Sequence, residues 1–365
     1  MSAIVVGYRM IDPISQRTID KKKIYLLEVI KMVLNLGIIG TNSITNVFVD
    51  AALESKLYAV KAVYSRTIEK AQAFGEPYGA DVFETDLTAF AQHPEIDVVY
   101  IASPNSLHFE QAVEIMKNGK HVIVEKPMFS NPTEWKIAAE TAKENNVFMF
   151  DAARHIHEEN FKRVKEEIKN IEHIQGANLT YMKYSSRYDN VLNGEEPNIF
   201  SLKFSGGALA DLGVYVVYAA IDWFGVPQSA HYFAQKISTG VDGKGTIIFR
   251  YPTFDVTMQT GKIASSYLPS EIYGLNKTIS LDGVTGISTI DVIDRKAGLK
   301  DNIAKPTQKS PMIEEAVDFA DVINHPNDEK ALKNYQEWLE LSRNVNQVLY
   351  DLRADAGIIC PADKK

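Results

Sequence analysis

From Val33 to Phe150 the chain alternates short apolar runs with amphipathic segments, and this alternation limits its fold more than any other feature. Apolar runs that are hydrophobic on both faces need cover on both sides, and runs separated by helices cannot close as hairpins. The pattern therefore predicts βαβ units and a parallel sheet. Strands are expected at Val33 to Ile39, Tyr58 to Tyr64, Val98 to Ala102, His121 to Val124 and Val147 to Phe150. Between them, Ile44 to Leu53 places Ile44, Val47, Phe48, Ala51 and Ala52 on one helical face, Thr67 to Phe74 forms a short helix, and Leu107 to Asn118 runs to a stop at Gly119. A further helix starts at Asn131, with Asn131 as cap, Pro132 in the first turn and Glu134 at the capping-box position.

Three loops of this half carry candidate chemistry. The first strand runs into Gly37-Ile-Ile-Gly40-Thr41-Asn42-Ser43-Ile44, a glycine-bearing strand–turn–helix of the kind that brings a pyrophosphate to a helix N-terminus. Asn42 stands where a third glycine is usual, and asparagine tolerates the left-handed backbone that such a position demands. The second strand ends in Ser65-Arg66 with no acidic residue to bind a ribose diol, which favours NADP over NAD; Ser65 and Thr67 are equally suited to cap the next helix. The third is Val122-Ile-Val-Glu125-Lys126-Pro127, where a buried run ends abruptly in a charged pair at a strand's carboxyl end, the edge on which open α/β sheets bind ligands.

A length of 365 residues exceeds one ordinary core, so two domains are expected, at 33–152 and 153–365, preceded by an extension at 1–32 of uncertain status. The extension reads as a flexible arm, an upstream start-codon assignment, or a segment pairing with the sheet or a partner subunit. The second part opens with a helix at Phe161 to Asn170. Gly-punctuated strand-like segments follow at Ala177 to Ser185, Ala230 to Ile237, Thr246 to Tyr251, Phe254 to Thr260 and Thr278 to Leu281, without regular helices between them, which predicts an antiparallel sheet. Two amphipathic helices, Met312 to Ile323 and Glu329 to Leu352, end the chain. A net charge of −8, with no Lys/Arg cluster beyond the short Lys21-Lys22-Lys23, argues against a nucleic-acid partner. The single cysteine, Cys360, permits no internal disulfide. With no signal-peptide layout and no apolar run of about 20 residues, a cytoplasmic protein without a membrane partner is expected.

The Gly37–Ile44 turn, Ser65-Arg66, Pro104-Asn105-Ser-Leu-His108, Glu125-Lys126-Pro127 and Gly206-Gly207-Ala-Leu-Ala-Asp211-Leu-Gly213-Val-Tyr215 follow one another in an order and spacing that resemble the glucose–fructose oxidoreductase, inositol dehydrogenase and MocA family. The resemblance spans about Val33 to Trp223. It implies a Rossmann domain, a C-terminal α/β domain with an open, mostly antiparallel sheet, and an active site between them. It also implies NAD(P)-dependent hydride transfer on a sugar, polyol, diol or related hydroxy-carbonyl compound, and a homodimer or homotetramer built through the C-terminal sheet. Cofactor contacts are then expected from Gly37, Gly40, Thr41, Asn42, Ser43 and Ile44, from Ser65 and Arg66, from Ala102, Pro104, Asn105 and His108, and from Glu125 and Lys126.

Asp211 and Tyr215 lie four apart on an expected helix, Gly207 to Trp223, and so share a face. Most relatives carry histidine at the second position; tyrosine there resembles the dihydrodiol-dehydrogenase-like members. Tyrosine is a poor base at its free pKa of about 10, and an ammonium beside it lowers that value. The resemblance therefore implies Tyr215 as proton donor or acceptor and Lys126 as the group that orients substrate oxygen and tunes the phenol. Asp211 would hold a substrate hydroxyl or the lysine. Arg154, His155 and His157 are substrate candidates or the polar face of a helix start. His-x-His without clustered acids is too little for a metal, and none is expected. The alternative function is a non-catalytic, NAD(P)-sensing regulator of the same fold, and a third is reduction of an imine or tetrapyrrole.

Overall fold

The computed structural model describes residues 32–364. The extension expected at 1–32 lies outside them apart from Met32. Six strands, β1 (Leu34–Ile39), β2 (Tyr58–Tyr64), β3 (Val82–Glu84), β4 (Val98–Ile101), β5 (His121–Glu125) and β6 (Met149–Ala152), form one sheet in the order β3-β2-β1-β4-β5-β6. Every pair in it is parallel. The crossovers are α1 (Ser43–Glu54), α2 (Ile68–Gly75), α3 (Leu87–Gln92), α4 (His108–Lys117) and α5 (Pro132–Glu144). The strand order reverses on either side of β1, which opens the ligand crevice at the carboxyl ends of β1 and β4. Phe48 of α1 lies flat on Tyr100 of β4, with ring centroids 4.0 Å apart, and ties the first helix to the sheet centre. The cap at α5 forms as its sequence requires. Asn131 Oδ1 accepts from the Glu134 amide at 2.9 Å, while the Glu134 carboxylate reaches back to the Ser130 amide at 2.9 Å.

After α6 (Glu159–Ile168) the second sheet is laid down by β7 (Ile174–Met182), then α7 (Arg187–Leu192) and α8 (Val214–Phe224). It continues through β8 (Ser229–Lys236), β9 (Asp242–Arg250), β10 (Asp255–Gly261), β11 (Ser270–Gly274), β12 (Lys277–Leu281), β13 (Ile290–Asp294) and β14 (Leu299–Asn302). Its order is β14-β13-β12-β11-β7-β10-β9-β8. Only β7 and β10 run parallel, so the sheet is mostly antiparallel, as expected. The short strands β3, β11, β13 and β14 and the helices α3 and α7 are not among the elements expected from the sequence.

Two features differ from expectation. The last helices, α9 (Ile313–Asn324) and α10 (Glu329–Asp355), do not belong to the second sheet alone. Met312, Ala316, Phe319 and Ala320, with Ala331 and Tyr335 from the start of α10, are buried in the core of the first sheet. Leu341, Val345, Leu349 and Leu352 of the same α10 are buried in the core of the second. The chain therefore returns to the first sheet, and α10 staples the two cores together. The segment Leu202–Phe224 is also long and apolar enough to cross a membrane by composition, although the sequence reading found no such run. Its apolar window is 89% buried inside the protein, with α8 packed on the second sheet's core.

Candidate active site

The loops that leave the carboxyl ends of β1, β2, β4, β5 and β6 converge on one edge of the first sheet, facing the helical segment that carries Asp211 and Tyr215. Gly40 ends β1 with φ +97°, and a Cβ there would stand 2.5 Å from the Ala102 carbonyl oxygen. Only glycine fits so close an approach of two backbones. Asn42 does not play the left-handed role expected of it. Its backbone is extended at φ −100°, and its side chain caps α1, accepting from the Ile44 and Thr45 amides at 3.0 and 3.3 Å. Its Nδ2 donates to the Ala102 carbonyl at 2.7 Å. The asparagine thus supplies as a cap, and as a tie to the β4 loop, what a third glycine would supply as a flexible turn. Thr41 is half-buried, and Asn42 and Ser43 are exposed at this helix start. Gly37 is not part of the turn. It lies inside β1, where a Cβ would meet the Phe90 ring at 2.8 Å, so it is a packing glycine rather than a cofactor contact. Ser65 and Arg66 leave β2 half-buried and exposed, and Thr67 caps α2.

In the β4 loop, Pro104 precedes a single turn at Asn105–Leu107, and Asn105 Nδ2 donates to the Ser205 carbonyl at 3.0 Å across the crevice. His108 is not presented to the crevice. It is 1% exposed, its Nε2 lies 2.8 Å from the Ser103 carbonyl, and its Nδ1 lies 3.3 and 3.2 Å from the Pro127 and Met128 carbonyls. Its ring is packed among carbonyls of the β4 and β5 loops, and its one N–H in the neutral form that burial favours is taken up there. Glu125 is likewise buried. It accepts from the Tyr100 hydroxyl at 2.5 Å, and burial raises its carboxyl above the usual range.

Lys126, Asp211 and Tyr215 do come together. Leu209–Gly213 is a wide π-type turn that runs straight into α8, a geometry common at functional sites. Lys126 Nζ donates to Asp211 Oδ1 at 2.9 Å and to the Asp211 carbonyl at 2.8 Å, and lies 4.9 Å from the centre of the Tyr215 ring. The turn is held from the second sheet by Asp242 of β9. Asp242 is 1% exposed and accepts from the Leu209 amide and the Tyr232 hydroxyl, both at 2.6 Å. Gly207, at φ +125°, is required because a Cβ would run into Asp242 Oδ1. A residue missed entirely by the sequence reading, Lys262, follows β10 and pairs with the other Asp211 oxygen, Oδ2. Its type and position carry no local motif, and only the register of β10 beside β7 and β9 brings it here.

Burial opposes the Lys126 charge, but Asp211, Tyr215 and Glu125 outweigh it and hold the ammonium above its ordinary value. Burial also pushes the Asp211 carboxyl up, and the Lys126 and Lys262 ammoniums override it, leaving it far below the usual carboxylate range. For Tyr215 the balance falls the other way. Burial raises the phenol, Lys126 and Arg154 lower it, and the net result lies above 10. The expectation that Lys126 alone brings the phenol down is corrected by a desolvation the sequence did not reveal.

The three residues after β6 divide. Arg154 Nη1 contacts Glu158 at 3.3 Å, and its charge acts on Tyr215. His155 is 1% exposed, with its ring 4.8 Å from the Tyr215 ring and walled by Phe161 and Tyr218. His157 is equally buried, with Nδ1 2.7 Å from Asp318 of α9 and its ring against Phe319 and Trp338. His157 packs against α9 and α10, His155 walls the Tyr215 ring from inside, and Arg154 brings a charge to it. Asp151, ahead of them, accepts from Tyr218 and Ser342, and burial brings its carboxyl up to about 6.

A family model described as an oxidoreductase family with an NAD-binding Rossmann fold matches residues 34–152. The chain is 37% identical over 331 residues to scyllo-inositol 2-dehydrogenase (NADP(+)) IolU of Bacillus subtilis (strain 168), covering 91% of this chain and 99% of that one. The chain belongs to the Gfo/Idh/MocA oxidoreductase family. The trans-1,2-dihydrobenzene-1,2-diol dehydrogenase of Mus musculus is a more distant relative, 24% identical over 349 residues, covering 92% of this chain and all of the other. Among solved structures, a 3-ketoreductase from Actinomadura kijaniata in complex with NADP and TDP-benzene superposes with a TM-score of 0.76. It is 19% identical and covers 88% of this chain and 97% of that one, a likeness of fold. This Gfo/Idh/MocA member is accordingly an NAD(P)-dependent oxidoreductase acting on a small molecule.

Proposed function

We propose that the protein is an NADP-preferring dehydrogenase of a sugar, polyol or diol, with an inositol-type cyclic polyol as the leading substrate class. The observation that carries this reading is the meeting of Lys126, Asp211 and Tyr215 at the crevice, in a chain 37% identical to an NADP-dependent scyllo-inositol dehydrogenase. The Gly40 approach to Ala102 and the exposed start of α1 fit a dinucleotide pyrophosphate, and the exposed Arg66 at the end of β2 fits an adenosine 2′-phosphate. When bound, the nicotinamide supplies the hydride acceptor in oxidation and the donor in reduction. Tyr215 exchanges the proton with the substrate oxygen at its phenol. Lys126 donates a hydrogen bond to that oxygen and steadies the charge on it. Asp211 keeps Lys126 ionised and aimed through both its carboxylate and its carbonyl. A sensor of cofactor alone has no use for a buried phenol beside two cations, and this disfavours the regulatory alternative.

A homodimer or homotetramer through the outer face of the second sheet belongs to the same proposal. Phe233 of β8, 66% exposed opposite the buried Tyr232, supports it, and sedimentation velocity measures it. Turnover is tested by nicotinamide absorbance with NADP and NAD in turn, against inositols, aldoses, linear polyols and vicinal diols, and in reverse with inososes, keto-sugars and dicarbonyls. Turnover on a polyol with NADP preferred is the expected result. Clear cofactor binding with no turnover on the whole panel would defeat the reading.

A further inference from the structure

Asp211 is shared by two lysines, and only one of them belongs to the sequence motif. Lys126 takes Oδ1 and Lys262 takes Oδ2. Lys262 is held rather than draped there: its amide donates to the Gly243 carbonyl at 2.8 Å, and its carbonyl accepts from the Ser185 amide at 2.9 Å. Its ammonium lies 5.9 Å from the centre of the Phe200 ring, and its side chain is only 9% exposed. A lysine desolvated to this degree is costly unless its charge is used.

The charge count gives the use. One carboxylate facing Lys126 alone makes a neutral pair, and the field of Lys126 at its neighbours is then largely cancelled. A second ammonium on the far oxygen leaves the group with one net positive charge. Around Tyr215 stand Lys126, Glu125, Arg154, His155 and Tyr181, so the phenol sits where that surplus is felt. We propose that Lys262 is a positioning residue for the reaction: by neutralising Asp211, it leaves the positive field of Lys126 free to act on the Tyr215 oxygen and on the substrate oxygen beside it. The inference rests on the dehydrogenase reading above and adds a residue that no motif of the chain contains. A fixed charge aimed at an oxygen that becomes anionic accelerates its reaction without reorganisation.

The test compares Lys262→Met and Lys262→Arg in the full chain, using NADP and the polyol that the native enzyme turns over. Lys262→Met should lower kcat by roughly tenfold, the rate equivalent of a one-unit shift in the phenol. It should leave the KM for NADP unchanged and move the alkaline-rising limb of kcat up by about one pH unit. Lys262→Arg should bring that limb back. Native kcat in Lys262→Met, or a loss of kcat with an unmoved limb or without rescue by arginine, would overturn the proposal in favour of simple packing. A second arm needs no substrate. The phenolate absorbance lost on Tyr215→Phe, followed as a titration from neutrality upward, should appear at higher pH in the Lys262→Met background. Onset at the same pH, or no Tyr215 signal in either background, would also overturn it. If the native enzyme turns over no polyol, the polyol reading falls, and this second arm still decides the role of Lys262.

Discussion

Tyr215→Phe is the perturbation that most directly probes the site. Tyr215 is 7% exposed, and its ring is held by His155 at 4.8 Å, Tyr181 at 5.3 Å and the Lys126 ammonium at 4.9 Å. Phenylalanine keeps all three contacts, so the variant should fold and bind NADPH as the native protein does. What it loses is the proton exchanged with substrate oxygen. General acid–base catalysis contributes roughly 10²–10⁴-fold, or about 3–5 kcal/mol of barrier, and kcat should fall by that factor. The pH profile adds a second reading. Burial holds the phenol above its ordinary value, so it stays protonated through neutrality. In the reduction direction kcat/KM should hold level and decline only above about pH 10, and the variant should lack that limb. Steady-state absorbance across pH, with NADPH fluorescence titration as the binding control, measures both. Turnover within a few-fold of native, at unchanged cofactor affinity, would remove Tyr215 from the mechanism.

Arg66→Ala should weaken NADPH binding by roughly 10–100-fold, the worth of a charge-assisted hydrogen bond to the 2′-phosphate, and leave NADH nearly untouched; equal losses for both would show that Arg66 does not read the phosphate. Gly207→Ala places a Cβ against Asp242 in a backbone at φ +125°, and should lower the melting temperature by roughly 5 °C and disturb the turn that carries Asp211; an unchanged melting curve with native kcat would refute that account. Burial raises Glu158 from 4.5 to about 7 in the folded protein, although Arg154 and the Gly286 amide oppose it. The folded state therefore holds this proton where the unfolded chain has lost it, so ionisation costs stability as pH rises from about 4.5 toward 7, by about 3 kcal/mol at most. Glu158→Gln should lack that slope, so the melting temperature of the variant relative to native should rise as pH goes from about 4.5 toward 7, and parallel curves would contradict it.

The parts legible in the sequence were those written in local patterns. The β2 strand from Tyr58 to Tyr64 and the cap at Asn131 were readable because period, cap and punctuation lie within a few residues of one another. The short β3 and β14 carry too few residues for any period to show, and each pairs with a longer neighbour. Lys126, Asp211 and Tyr215 were legible as a spaced motif, and the structure brings them together. Motif spacing was silent about burial, however. It placed His108, His155 and His157 as polar candidates when the fold spends them inside, and it gave the phenol a lowered pKa that desolvation reverses. Asn42 shows the same limit in the backbone: a position that seemed to need a left-handed turn is extended, because a side-chain cap does the work. Lys262 marks the far edge of legibility. Nothing near it in sequence names it, and it reaches Asp211 only because β10 leaves the second sheet beside the turn that faces the first. Chemistry assembled between two sheets is recorded in their registers, and a linear reading recovers those registers only where the strands are long enough to declare them.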